Sequence, residues 1–156
     1  MRTRDLPGAV IADCDGTLVD VAGIRPLIDG PGRFHAFHMA SVNCPPNQWA
    51  IDELREHHAA GRAILIVTAR QARYRHVTAW WLALHGVPSE AMWMRATNDS
   101  RPDHIVKAEI LAKIRREWNP IHAYDDRPEV VEVWERAGIP VTVVPGWGDT
   151  ARQSQL

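Results

Sequence analysis

The chain has 156 residues, 46% of them hydrophobic and 24% charged, and its formal net charge is −1. This balance fits one soluble globular domain; it excludes a disordered or fibrous chain and a uniformly basic nucleic-acid coat. No apolar run approaches the roughly 18 residues of a membrane span, and the two cysteines, Cys14 and Cys44, form no CxxC, which points to a reduced, cytoplasmic setting.

The N-terminal stretch MRTRDLPGAVIADCDG meets Asp5 and Pro7 early and is expected to be no signal peptide. Within it Ala9 to Ala12 form a first short strand that ends at Asp13. Leu18 to Asn47 is an irregular stretch rich in proline and glycine; a segment of that length is functional or holds a helix of its own, for which Arg33 to Ser41 is the candidate. Trp49, Ile51, Leu54 and His58 mark a helix that stops at Gly61. Ala63 to Val67 is a second, β-branched strand. Tyr74, Val77, Trp81 and Leu84 step by three and four and form one helix face, closed by Gly86 and Pro88. Ala91 to Met94 is a third strand. Ile105 or Val106, then Ile110, Ile114 and Trp118, mark the next helix, closed by Asn119-Pro120. Ile121 to Tyr124 is a fourth strand, Val130 to Ala137 a helix stopped by Gly138, and Val141 to Val144 a fifth strand. The tail after Gly148 is polar and is read as loose.

One strand followed by four helix–strand units implies parallel pairing through right-handed crossovers. The expected fold is α/β, a three-layer sandwich with a central, mainly parallel five-stranded sheet. It is read as one domain over 1–156, with its core at about 8–148 and a small cap-like insert at about 18–47.

Open parallel sheets place their sites at the carboxyl ends of the strands. Strand one is followed there by Asp13-Cys14-Asp15-Gly16-Thr17, strand two by Thr68-Ala69-Arg70, strand three by Arg95 and a loop to Arg101, and strand four by Asp125-Asp126. Carboxylate oxygens are hard ligands that suit Mg²⁺ together with a substrate phosphate. Of Asp13 and Asp15, one can hold metal and act as nucleophile while the other carries a proton, because crowded carboxylates do not ionise alike. Gly16 permits a sharp turn. Thr68 and Lys107 offer a hydroxyl and a positive charge to an arriving phosphate. An EF-hand is excluded, since Leu18 and Ile24 stand where its glycine and glutamate would fall. Read alone, Asp125-Asp126-Arg127-Pro128 is equally a helix start.

The ordered motifs AVIADCDGTL, ILIVTAR, RPDHIVKAEIL and HAYDDRPEVVEVW resemble those of the haloacid dehalogenase-like (HAD) phosphohydrolases, over roughly residues 8 to 148. Within that superfamily RPDHIVKAEIL, the DDRPEVVEVWERAGI segment and Arg70 two places after Thr68 are similar to the 3′-phosphatase domain of bacteriophage polynucleotide kinase. The resemblance implies a HAD-like Rossmannoid fold with a minimal cap. It implies Asp13, Asp15, Arg70, Asp103, Lys107 and Asp126 as essential residues, with Thr68 and Asp125 in support. Arg25 is its candidate for a loop arginine that contacts substrate, with Arg33 the alternative; Thr17 and Asp103 join Arg25 and Arg70 as substrate-side residues. It implies Mg²⁺ held by Asp13, by the backbone carbonyl of Asp15 and by Asp126 or Asp125. Asp13 is the implied nucleophile, forming an aspartyl-phosphate, and Asp15 the acid and then base. Asp103 is expected to orient Lys107 or Arg70. No Gly-Lys pair occurs, so the likeness covers a phosphatase half alone. A phage-encoded protein in a host cytoplasm is compatible with it.

The implied substrate is a phosphorylated nucleic-acid end, DNA or RNA, and the implied activity that of a polynucleotide 3′-phosphatase. A HAD phosphatase of a small substrate such as a nucleotide is the alternative, and a non-catalytic binding module the remote one. Residues 68 to 101 carry five arginines (70, 73, 75, 95, 101) against Glu90 and Asp99, which suggests a basic rim able to meet phosphates. His35 and His38 share a helix face and are read as stacking or substrate contacts over the cleft. Trp80, Trp81, Trp118 and Trp134 are read as core, and Trp49 and Trp147 as the tryptophans to examine against a base. Cys14, between the two aspartates, is expected to point away from substrate because strand neighbours alternate faces.

Overall fold

A computed structural model of the chain describes residues 5–29 and 33–145. The elements run β1 (Gly8–Ala12), a 3₁₀ turn (Ala22–Asp29), α1 (Arg33–Ala40), α2 (Gln48–Ala59), β2 (Ala63–Gln71), α3 (Arg75–Leu84), β3 (Ala91–Arg95), α4 (Asp103–Ile114), β4 (Asn119–Asp125), α5 (Pro128–Arg136) and β5 (Val141–Val143). The sheet is fully parallel with order β3-β2-β1-β4-β5. The expected α/β sandwich is therefore present, and the expected α1 occupies Arg33–Ala40. The region of Trp147 and the polar tail lies outside the described residues. No helix among the described residues is long and apolar enough to cross a membrane.

Strand alternation divides the interior into two cores. Val10, Ala12, Ile64 and Ile66 face α2, Trp81 of α3 and the insert, through Ile51, Leu54 and Phe37. Ala9, Ile11, Leu65 and Val67 face α4 and α5, through Ile110, Ile114, Val130 and Trp134. Strands buried on both faces read as continuous apolar runs, which is why AVIA and AILIV show no alternation in polarity.

Two features position the site. The chain leaves β1 toward β2 and β3 on one side, then returns to the other side for β4 and β5, so strand order reverses between β1 and β4. Such a reversal opens a crevice at the strands' carboxyl ends. In addition, β2 runs past Val67 to Gln71, with an irregularity against β3 between Thr68 and Gln71. A bulge of this kind re-aims a side chain, and here it brings Arg70 inward. Sequence patterning ended β2 early because Thr68, Ala69 and Arg70 break the apolar run. Trp118 falls outside α4, which stops at Ile114, and it packs half-buried on the second core.

Candidate active site

Register decides which side chains meet. Ala12 pairs with Ile66 on one side and Tyr124 on the other, and the Asp13 N–H donates to the Tyr124 carbonyl at 3.0 Å. Asp13, Thr68 and Asp125 therefore emerge at one edge. Beyond Asp13 the chain turns at once: Gly16 has φ of +76°, a left-handed conformation that other residues rarely adopt. The Cys14 carbonyl accepts the N–H groups of Thr17, Leu18 and Val19 at 2.9–3.1 Å.

Asp13, Asp125 and Asp126 are buried, with carboxylate oxygens within 4.8 Å of one another. Lys107, 2% exposed, reaches in from α4, its Nζ 2.9 Å from Asp13 Oδ1 and 2.9 Å from Asp125 Oδ2. Burial works against its charge, but Asp125 and Asp13 outweigh that and keep the ammonium protonated. Burial pushes the Asp13 carboxyl well above the ordinary range; Lys107 opposes the shift, and Asp125 and Asp126 add to it. Asp126 rises to about 6 through burial and the charge of Asp125. Three carboxylates thus crowd one buried volume with one ammonium, an arrangement that a divalent cation would relieve.

The two members of the acidic pair differ. Asp125 Oδ1 accepts the N–H of Asp126 at 2.9 Å and of Arg127 at 3.3 Å, and its Oδ2 accepts Lys107 and the Trp134 indole N–H at 3.3 Å. Its lone pairs are committed to shaping the turn and holding the lysine. No side chain caps α5, which instead begins with Pro128. Asp126 Oδ1 meets the Thr17 hydroxyl at 3.2 Å, as does Asp13 Oδ2 at 3.2 Å. Thr17 is fully buried. Sequence assigns it to substrate; the structure places it beneath the carboxylates, bridging two of them.

Asp15 stands apart from the acidic cluster. Arg70 grips it with a two-pronged ion pair, Nε to Oδ2 at 2.9 Å and a terminal nitrogen to Oδ1 at 2.5 Å. Burial opposes the Asp15 charge, but Arg70 outweighs it and holds the carboxyl below its usual value. Arg70 is itself 3% exposed and also donates to Thr78 Oγ1 at 3.1 Å and Ser41 Oγ at 2.9 Å. It therefore positions Asp15 while also lining the cleft. The Asp15 backbone carbonyl, its expected metal contact, is not involved in this ion pair. Thr68 is 1% exposed and its Oγ1 accepts the Arg70 N–H at 3.1 Å.

Asp103 orients neither Lys107 nor Arg70. Its Oδ1 lies 2.6 Å from Arg95 and its Oδ2 3.5 Å from Arg127 Nε. Arg95, which sequence places at a strand end and on the basic rim, is instead an internal hub. It is 7% exposed and donates to the carbonyls of Ala69, Asp99 and Arg101 at 2.9, 3.1 and 2.5 Å as well as to Asp103. Its signal was available: an arginine directly after an apolar run, once buried, must find acceptors. Of the five arginines of the expected basic rim, Arg73 and Arg75 are exposed but lie outside the cleft lining. Arg70 and Arg95 are buried in ion pairs, and Arg101 is paired with Asp99 and Glu109.

These groups line a cleft of about 670 Å³. Asp13, Asp15, Thr68 and Lys107 are in its lining, together with α1 and the loop of residues 98–101. Of the two loop arginines, Arg33 lines it and Arg25 does not. His38 lines it with its Nδ1 3.9 Å from Asp15 Oδ2; burial lowers its pKa to about 4 despite Asp15, so the ring is neutral. His35 contacts the Tyr74 hydroxyl at 3.0 Å. Cys14 packs in the first core, with its thiol pushed up to about 12 by burial, and plays no part in the cleft. Trp81 and Trp134 are buried as expected, whereas Trp80 is exposed and Trp49 lies outside the cleft lining.

Comparison with known proteins matches this chemistry. The model of the polynucleotide kinase PNKP phosphatase domain matches residues 7–146. A protein of Autographa californica nuclear polyhedrosis virus, named provisionally as a bifunctional polynucleotide kinase/RNA ligase, is 28% identical over 138 residues, 86% of this chain and 19% of its own length. A chain of the Pnkp1/Rnl/Hen1 RNA repair complex superposes with a TM-score of 0.78 at 30% identity, over 89% of this chain and 42% of its own. The class C acid phosphatase of Bacillus anthracis shares the fold, with a TM-score of 0.72 at 13% identity, over 91% of this chain and 67% of its own. The chain thus spans less than half the length of its kinase- and ligase-associated relatives. Matched over almost all of its described length, the chain belongs to the HAD-type PNKP phosphatase domain family and is a hydrolase of phosphomonoesters.

Proposed function

We propose that the chain is a Mg²⁺-dependent polynucleotide 3′-phosphatase that works through an aspartyl-phosphate on Asp13. The observation that carries the reading is the setting of Asp13: a carboxylate at the switch point of a parallel sheet, in the lining of the cleft, with Lys107 on one oxygen and Thr17 on the other. Asp13 attacks phosphorus and the P–O bond to the leaving sugar breaks. Lys107 and the Thr68 hydroxyl face the transferring phosphoryl group and offset its charge.

Asp15 moves the proton. Arg70 holds it as a carboxylate at rest, the form that takes a proton from water in the second step. When a phosphate's negative charge arrives beside Asp15, like charge raises its pKa and it takes a proton from solvent, which it gives to the leaving sugar oxygen; in the second step water attacks phosphorus, the Asp13 O–P bond breaks and Asp15 receives the water's proton.

The donor set fits Mg²⁺: hard carboxylate oxygens, buried and crowded. Asp13 and Asp126 would hold the ion, with Asp125 committed to Lys107 and the turn. When bound, Mg²⁺ neutralises charge on the phosphate and fixes it near Asp13. The described residues form one phosphatase domain in which 18–47 serves as a small cap, because α1 from that insert lines the cleft. A cleft whose lining includes a short helix and a loop suits the end of a long substrate. Relatives named for polynucleotide kinase, RNA ligase and RNA repair support a nucleic-acid end.

The test is phosphate release from matched 3′- and 5′-phosphorylated oligonucleotides and from mononucleotides, with Mg²⁺ and with EDTA. Strong Mg²⁺-dependent preference for the 3′-phosphorylated oligonucleotide is expected. Equal or better turnover of mononucleotides would move the function to small-molecule metabolism.

A further inference from the structure

We propose that Phe34 is a stacking platform for the base of the nucleotide whose 3′-phosphate is removed, so the enzyme reads the last nucleotide by its π-face rather than by its sequence. This rests on the 3′-phosphatase reading and names the group that lies beside the phosphate.

α1 carries two phenylalanines one turn apart. Phe37 is 3% exposed and belongs to the first core. Phe34 is 52% exposed, yet it lines the same cleft as Asp13 and Lys107. Among the described residues it is the exposed aromatic in that lining, since Trp49 and Trp80, also exposed, lie elsewhere. The Arg33 guanidinium carbon sits 4.8 Å from the Phe34 ring centroid. A cation over an aromatic face steadies the ring, and it adds a positive charge where a nucleic-acid backbone would run. The helix that presents the ring is itself pinned: His35 meets the Tyr74 hydroxyl at 3.0 Å, and the His38 ring lies 4.7 Å from that of Tyr74. The platform is therefore held before any ligand arrives, which lowers the cost of binding.

The cleft has the complementary shape. Its volume of about 670 Å³ lies within the roughly 300–1,000 Å³ of pockets that enclose a whole small ligand, more than a phosphate group requires. Carboxylates and Lys107 mark the phosphate end. Phe34 and Ile28 bring apolar surface to the lining, and Asn98, Ser100 and Arg101 bring polar groups. Apolar and polar groups in one cleft with a phosphate site suit a base and its sugar-phosphate. Base–aromatic stacking tolerates every base, because each has a π-face.

The test uses two oligonucleotides of one sequence, each with a 3′-phosphate, whose last sugar either carries its base or is abasic. The readout is the ratio of kcat/KM between them. Wild type is expected to favour the base-bearing end by roughly tenfold, the scale of stacking one base on one aromatic side chain. Phe34→Ala and Phe34→Leu are expected to bring the ratio close to one, and Phe34→Trp to keep it. Circular dichroism shows that each variant is folded. Leucine keeps apolar bulk without a ring, so a ratio retained by Phe34→Leu would overturn stacking in favour of simple packing. A wild-type ratio near one would also overturn the proposal while leaving the 3′-phosphatase reading intact. Release of phosphate from an aryl phosphate but from neither oligonucleotide would overturn that reading itself and this proposal with it.

Discussion

The floor of the cleft and its rim are built from similar charges but obey different rules. At the floor, Asp13, Asp125, Asp126 and Lys107 are all nearly or fully buried and are held by strand ends and by α4. Among residues 68–101, the five arginines divide into buried hubs, Arg70 and Arg95, and exposed ones, Arg73, Arg75 and Arg101, the last already paired with Asp99 and Glu109. Net charge along a segment therefore says little about charge offered to a ligand. Geometry at the floor follows from register, because each strand end must deliver its next residue to the same edge. Geometry at the rim follows from which acceptors a buried guanidinium finds once the chain has closed.

The comparison can be broken at several points. The largest expected effect is at the floor. Asp13→Asn should reduce phosphate release to background, by roughly 10⁴-fold or more as loss of a nucleophile does, with circular dichroism unchanged; retained turnover in a clean preparation would remove Asp13 from that role. Lys107→Met should lower stability by about 3–5 kcal/mol in EDTA, because it strands buried carboxylates without their partner. Its Tm should recover more on adding Mg²⁺ than that of the wild type, and equal recovery would argue against a cation among these acids.

The rim offers a contrast within one residue type. Arg95→Ala should cost about 3 kcal/mol, since it leaves three carbonyls and Asp103 unmet. Arg101→Ala, at a side chain 47% exposed, should stay within about 0.5 kcal/mol. Urea unfolding of the two variants distinguishes a hub from a surface pair, and similar losses would sink the distinction. The smallest expected effect depends on pH. His38 is held neutral in the fold, with a pKa near 4 against an ordinary value of 6.5. A depressed histidine binds its proton more readily when unfolded, so its contribution falls as pH drops from about 6.5 toward 4 and is constant above that window. Comparing His38→Gln with the wild type should show the variant losing less stability across that range, and parallel curves would mean His38 does not titrate there.

Much of the floor is legible in sequence. Asp13, Thr68, Lys107 and the Asp125-Asp126 pair can be placed because each follows an apolar run or lies on a periodic helix. Sequence leaves Asp125 and Asp126 interchangeable; the Trp134 indole and the two turn N–H groups tell them apart. Thr17, Asp103 and Arg70 are recognisable as site residues, but their partners are not. Thr17 reaches Asp126, 109 positions away in the chain, Asp103 turns to Arg95, and Arg70 to Asp15. Long-range pairs of this kind leave no periodic trace. Phe34 and Trp80 show the same limit: aromatic spacing predicts a face but not which residue the neighbours fail to cover.

The sequence by itself determined the order of strands and helices, the parallel sheet and the identity of the reactive edge. Those depend on burial periodicity and on residues that immediately follow a strand, both local properties. Only the tertiary structure decided which partner each carboxylate meets, which arginines are spent internally and which aromatic remains open to the cleft. Each of these depends on desolvation and on partners brought together by the reversal of strand order between β1 and β4, and a charge or a ring acquires its role only when its surroundings are complete.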